Sequence, residues 1–202
     1  SAVGSASDIS VVHSSRADAL HLLRVTAALA AAFMLAGCQS ILHLPDGATF
    51  HSTLGTRTAV VQQGRVVLDG RPGTPRFDGI NGAVRFSADG SRFAYLGMRG
   101  SQRFLVVDDR EYGPFDGTAV GGVQISPLGR RVWLPVVQGE RWHLWLDGTL
   151  GPAFDGIGVP HAVVSADETR LAYLARREKV WRVVLDGIEG EPVQGFLDDL
   201  GF

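Results

Sequence analysis

Ala83-Val84-Arg85-Phe86-Ser87-Ala88-Asp89-Gly90-Ser91-Arg92-Phe93-Ala94-Tyr95-Leu96-Gly97-Met98-Arg99-Gly100-Ser101-Gln102-Arg103-Phe104-Leu105-Val106-Val107-Asp108 is a passage that the chain writes more than once. Ser87, Ser126 and Ser165 each stand at a turn, and Asp108, Asp147 and Asp186 each close an apolar run, always at a step of 39 residues. A fixed period of this length marks a repeat architecture, one supersecondary unit copied and stacked. An earlier copy is visible from its back half, Arg65 to Asp69 followed by Phe77-Asp78-Gly79. Its front half, Phe50 to Val61, keeps the order of features without the spacing. About four units account for almost all of the chain beyond residue 48.

Within a unit, short apolar runs rich in β-branched and aromatic side chains alternate with clusters of Gly, Asp, Ser and Pro. Such runs read as strands and such clusters as turns. The spacing predicts three good strands per unit and a short fourth around Pro114 to Asp116, with no amphipathic helix in the repeat region. Four antiparallel strands in about 40 residues is the specification of a propeller blade. A strand ending Phe86-Ser87, then Ala88-Asp89-Gly90-Ser91-Arg92, then Phe93-Ala94-Tyr95, resembles the Ser-Pro-Asp-Gly repeats of TolB-type, WD-like β-propellers. The second copy keeps Pro127 but has Leu128 for Asp, and the third has Glu168 for Gly. The resemblance implies a tight hairpin at Asp-Gly, where glycine supplies a positive φ without steric cost. The fold class expected is therefore all-β, a β-propeller of about four 39-residue blades preceded by a helical signal peptide. Phe202 falls where the repeat phase predicts the first strand of another blade, so the segment reads either as part of a larger propeller or as a closed four-bladed ring.

Matched positions predict the packing of blade on blade. Phe93, Val132 and Leu171 align, as do Tyr95, Leu134 and Tyr173, and Val106, Trp145 and Val184. A blade must cover both of its faces with neighbours. Trp142 and Trp181 are expected at core or rim packing positions, with a sugar-stacking surface as the alternative. Arg92, Arg131 and Arg170 share one register just after the turn, and form the candidate face for a ligand or partner, either as a ring of positive charge or as pairs with nearby aspartates. The aspartates Asp69, Asp108, Asp147 and Asp186, with Asp78, Asp116 and Asp155, lack the alternating oxygens of a calcium loop and read as turn caps, so no metal is expected.

The N-terminal segment carries an address. Arg16 and Arg24 precede an apolar stretch from Val25 to Leu35, too short for a spanning helix, which needs roughly 20 apolar residues. It ends in Leu35-Ala36-Gly37-Cys38, which resembles the lipobox of bacterial lipoproteins. That resemblance implies cleavage before Cys38, lipidation of its sulfur and, with Gln39 following, an outer-membrane address facing the periplasm. Cys38 is the one cysteine of the sequence, so no internal disulfide is available to it. The domains expected are a leader and signal peptide over 1–37, a lipidated Cys38 and tether over 38–48, and propeller repeats over 49–202.

A formal charge of −2, with 18 arginines against the single Lys179, offers no basic footprint for nucleic acid. Motifs for a serine nucleophile elbow, a zinc helix or a phosphate loop are missing from the sequence, and no cofactor is expected. The reading is a membrane-anchored, non-catalytic binding or scaffolding module with a protein or peptide partner. The alternatives are the propeller part of a longer serine-peptidase-type hydrolase and a sugar-binding propeller.

Overall fold

The computed structural model describes residues 43–193, and for residues 159–161 the backbone alone. The leader, Cys38 and residues 194–202 lie outside the described residues. The described residues are all-β, a succession of propeller blades. The first sheet is made by β1 (Thr49–His51), β2 (Thr58–Gln62), β3 (Arg65–Leu68) and β4 (Arg71–Pro72), in chain order. The second is made by β5 (Gly79–Phe86), β6 (Phe93–Arg99), β7 (Gln102–Val107) and β8 (Arg110–Phe115). In the third, β9 (Gly117–Thr118) and β10 (Gln124–Ile125) both pair with β11 (Val132–Gln138), followed by β12 (Arg141–Leu146) and β13 (Thr149–Leu150). The fourth is made by β14 (Gly156–Val164), β15 (Leu171–Arg177), β16 (Val180–Leu185) and β17 (Ile188–Pro192). Every pairing is antiparallel, so each blade is a meander of hairpins.

The cores lie between consecutive blades, where the repeat places them. Ala59, Val61 and Val66 of the first blade meet Phe93, Tyr95 and Val106 of the second. Ala94, Leu96, Leu105 and Val107, on the other face of that sheet, meet Val132, Leu134 and Trp145 of the third. Trp133 and Leu144 in turn meet Leu171, Tyr173 and Val184 of the fourth. The alternation of side chains along a strand delivers one set to the preceding blade and the next set to the following one. All nine residues aligned by the sequence are buried in these cores.

The fourth strand differs from expectation. It begins directly after Asp108-Asp109, Asp147-Gly148 or Asp186-Gly187, earlier than expected; in the second blade it runs on through Pro114 to Phe115, and in the third Phe154 keeps one antiparallel bridge to Trp142. Asp147 and Gly148 have φ of 48° and 97°, and Asp186 and Gly187 have 51° and 83°. Two consecutive positive φ values define the two-residue turn whose twist suits a hairpin, so the fourth strand returns at once. The first strands of the second, third and fourth blades also carry an irregularity, between Asn81 and Arg85, across residues 119–123, and between Ile157 and Ala162.

Candidate functional site

At one end of the blades every first turn is built alike. The Ser52, Ser87, Ser126 and Ser165 hydroxyls accept the backbone N–H of Arg57, Arg92, Arg131 and Arg170. Each of these arginines then pairs with the aspartate that ends the third strand of its own blade. Arg92 meets Asp108 at 2.7 Å, Arg131 meets Asp147 at 3.0 Å and Arg170 meets Asp186 at 2.8 Å, and Arg57 pairs with Asp69. The second carboxylate oxygen accepts the N–H of the next residue, Thr58, Phe93, Val132 or Leu171. These bonds hold Asp69 and Asp186 below the usual carboxylate range, the backbone N–H acting most strongly and the arginine next.

The arginines also join blades. Arg57 donates to the Gly90 carbonyl at 3.1 Å, Arg92 to Gly129 at 3.0 Å, and Arg131 to Glu168 at 3.0 Å and Thr169 at 2.6 Å. Arg92, Arg131 and Arg170 thus stand in one register, each beside a carboxylate of its own blade.

The two departures from the repeat turn out to be one feature. In the second blade Asp89 accepts from the Ser87 hydroxyl and the Ser91 N–H, and in the fourth Asp167 accepts from Ser165 and Thr169. Those bonds, the serine hydroxyl first, hold Asp89 and Asp167 at about 2. The third blade has Leu128 at this place. Its turn is served by Glu168 of the fourth blade, which accepts from the Ser126 hydroxyl, the Leu128 N–H and the Arg130 N–H. Glu168 is buried, which by itself pushes its carboxyl up, but the three donors outweigh burial and its pKa lies below the usual value.

The other end carries the hairpins between second and third strands. Asp46, Asp78, Asp116 and Asp155 each accept a hairpin N–H, from Gln63, Gly100, Gly139 and Glu178, at 2.7–2.9 Å. Among the described residues no three His, Cys, Asp or Glu side chains come together as a metal set. Between the first two blades this end opens into a cleft of about 600 Å³ lined by Asp46, Gln63, Arg76, Phe77, Asp78 and Arg99. Arg99 is fixed in place: it forks onto Glu111 with two bonds of 2.7 Å, donates to the Arg76 carbonyl, and lies 4.5 Å from the Phe77 ring centre. Sequence reasoning had not singled out this cleft, because its residues come from two blades and from the links between them.

The remaining candidates are placed as follows. Trp142 is half-buried against the third core, and Trp181 lies under Arg176, 5.6 Å from its guanidinium carbon. His143 Nδ1 donates to the Gly151 carbonyl at 2.9 Å. Cys38 lies outside the described residues.

No protein-family model matches the chain, and none of the curated proteins does. Among solved structures the chain is similar to TolB from Acinetobacter baumannii, with 15% identity and a TM-score of 0.40 over 75% of this chain and 45% of that one. A putative TolB from Agrobacterium tumefaciens gives 15% identity and 0.41 over 75% and 63%. A putative 6-phosphogluconolactonase from Bacteroides uniformis gives 16% and 0.40 over 72% and 52%. The chain therefore spans about half the length of the structures it matches.

Proposed function

We propose that this chain is a lipid-anchored, non-catalytic propeller of the bacterial envelope that binds a protein or peptide partner in the cleft between its first two blades. The observation that carries the reading is the cleft's construction. Arg99 is immobilised by Glu111 and two aromatic rings, Asp46 and Asp78 are tied to hairpin amides, and Gln63 and Arg76 line the opening beside them. Donors and acceptors held in advance on rigid strands bind a polar chain with little ordering cost. At the opposite end an acidic partner of Arg92, Arg131 and Arg170 would compete with Asp108, Asp147 and Asp186, which makes the cleft the stronger candidate. The Leu35-Ala36-Gly37-Cys38 motif supports the anchor, which would hold the module on a membrane through acyl chains.

The test uses the full chain expressed in a bacterial envelope. A photo-crosslinking residue at Gln63 is expected to trap a discrete partner, and Arg76→Ala is expected to abolish the adduct, while the same probe at Ser91 gives none. Equal labelling from both positions would overturn the cleft as the site. Cys38→Ser is expected to move the protein out of the membrane fraction and remove its labelling by radioactive palmitate.

A further inference from the structure

With the cleft between the first two blades taken as the binding site proposed above, we infer that it receives an arginine side chain of the partner, in the position that this chain's own Arg141 fills between the third and fourth blades. The two joints share one plan. Asp78 stands just before the second blade and Asp155 just before the fourth, and the Oδ2 of each accepts a hairpin N–H, of Gly100 and of Glu178, at 2.7 Å. Beside them Arg99 and Arg177 end a second strand and pair with a glutamate of the fourth, Glu111 or Glu189, at 2.7 Å. Each of these arginines also lies over the phenylalanine that precedes the aspartate, 4.5 Å from the Phe77 ring centre and 5.1 Å from that of Phe154.

One member differs. Between the third and fourth blades Arg141 sets its guanidinium 2.7 Å from the other oxygen of Asp155, Oδ1, with its Nε shut off from solvent. The first blade has no such cation, because its hairpin is shorter. The last pair of β2 with β3 is Gln62 with Arg65, four residues before Asp69, whereas the last pair of β11 with β12 is Gln138 with Arg141, six residues before Asp147. The residue six before Asp69 is Gln63, which lies in the turn itself with φ of 49° and gives its N–H to Asp46. Two pairs are thus missing from the tip, beside the cleft of about 600 Å³. Asp78 lines that cleft, and its Oδ1 accepts no hydrogen bond among the described residues.

The charges agree. In the lining Asp46 and Asp78 stand against Arg76, and Arg99 is offset by Glu111, so one further cation brings the cleft into balance. Arg99 does not fill that role. It feels Asp78 as Arg177 feels Asp155, and Asp155 still takes Arg141. A guanidinium suits the place better than an ammonium, because its planar fork donates in two directions and Asp46 and Asp78 each supply an acceptor. A cleft of this volume also admits the residues that flank the arginine. Arg76, where the other joint has Ala153, is left to meet their carbonyls.

The experiment uses the full isotope-labelled chain in mild detergent and the blocked peptide acetyl-Ala-Ala-Arg-Ala-Ala-amide, with citrulline and glutamate versions beside it. The amide of Gly100, which donates to Asp78, reports binding by nuclear magnetic resonance. The arginine peptide is expected to shift that signal saturably. Citrulline keeps the shape and loses the charge, and is expected to bind roughly tenfold more weakly or worse, the usual effect of removing a charged donor. Asp78→Asn keeps an acceptor for Gly100 and is expected to weaken the arginine peptide by a similar factor. Arg141→Ala is expected to open the matching site, so that the Glu178 amide shifts as well. An unmoved Gly100 signal at millimolar peptide overturns the inference, as does a citrulline or glutamate peptide that binds as tightly as the arginine one. So does undiminished affinity in Asp78→Asn. An adduct still trapped at Gln63 in Asp78→Asn chains would keep the cleft and remove the arginine, whereas failure of the cleft itself shows as equal labelling from Gln63 and Ser91.

Discussion

Glu168 combines two roles in one residue. It occupies a turn position with φ of 56°, where its counterparts are glycines, and it sends its carboxylate into the neighbouring turn. Glu168→Gly would relax the backbone but leave the Ser126 hydroxyl and two amides without their acceptor. Orphaned buried donors cost about 1–3 kcal/mol, so a loss of that size is expected in urea unfolding. Adding Leu128→Asp supplies the local carboxylate that the second and fourth blades use, and the double variant is expected to recover most of the loss. A double-mutant cycle that shows additive effects would sever the two positions.

Asp89 and Asp167 give the pH dependence its sign. Both have native values near 2, lowered first by a serine hydroxyl and next by an amide, against an ordinary 3.8. A carboxylate depressed in the native state contributes stability that is complete above the unfolded value and is lost as pH falls toward the native one. Thermal midpoints are therefore expected to fall between about pH 4 and pH 2, and Asp89→Asn with Asp167→Asn to flatten that slope.

At the scale of the strand, Gly97 on β6 shows how a missing side chain positions a neighbour. A Cβ there would lie 2.3–2.5 Å from the Phe77 ring, which comes from the link between the first two blades and forms the wall of the cleft. Overpacking of this kind typically costs about 1–3 kcal/mol. Gly97→Ala is expected to lower the melting temperature and, by displacing Phe77, to disturb Arg99 above it. Phe77→Leu in the same chain is expected to restore part of the stability.

How much of this was legible follows from where each interaction lies along the chain. Strands, turns and the three cores were readable because each depends on a pattern repeated locally, such as Phe93, Val132 and Leu171. The fourth strand is legible at its end, Pro114 and Phe115, whereas its start is set by two-residue hairpins such as Asp147-Gly148 and Asp186-Gly187. The service of Ser126 by Glu168 joins positions 42 residues apart in separate blades, and each departure alone reads as decay of the motif. The cleft was invisible for the same reason, since Asp46, Gln63, Arg76 and Arg99 meet only after two sheets have packed.

At the scale of the whole molecule, packing on both faces should set how readily a blade opens. The second blade is buried from both sides, with Tyr95 and Leu105 both inaccessible. In repeat proteins stability is a sum of unit and neighbour terms, so a sheet packed on both faces opens last. Amide hydrogen exchange is expected to be slowest in β6 and β7, which are packed on both faces. Uniform protection across the four sheets would show a single cooperative block.

The carboxylate that Glu168 lends has an evolutionary corollary. Modules that each satisfy their own polar groups can be duplicated, deleted or shuffled by recombination, but the third and fourth here are inherited only as a pair. A crossover falling between them would leave one parent's Leu128 without its acceptor and hand the other a glutamate with nothing to serve. The third and fourth beads of this string thus behave as a single heritable unit, and lineages that expand the array should do so elsewhere.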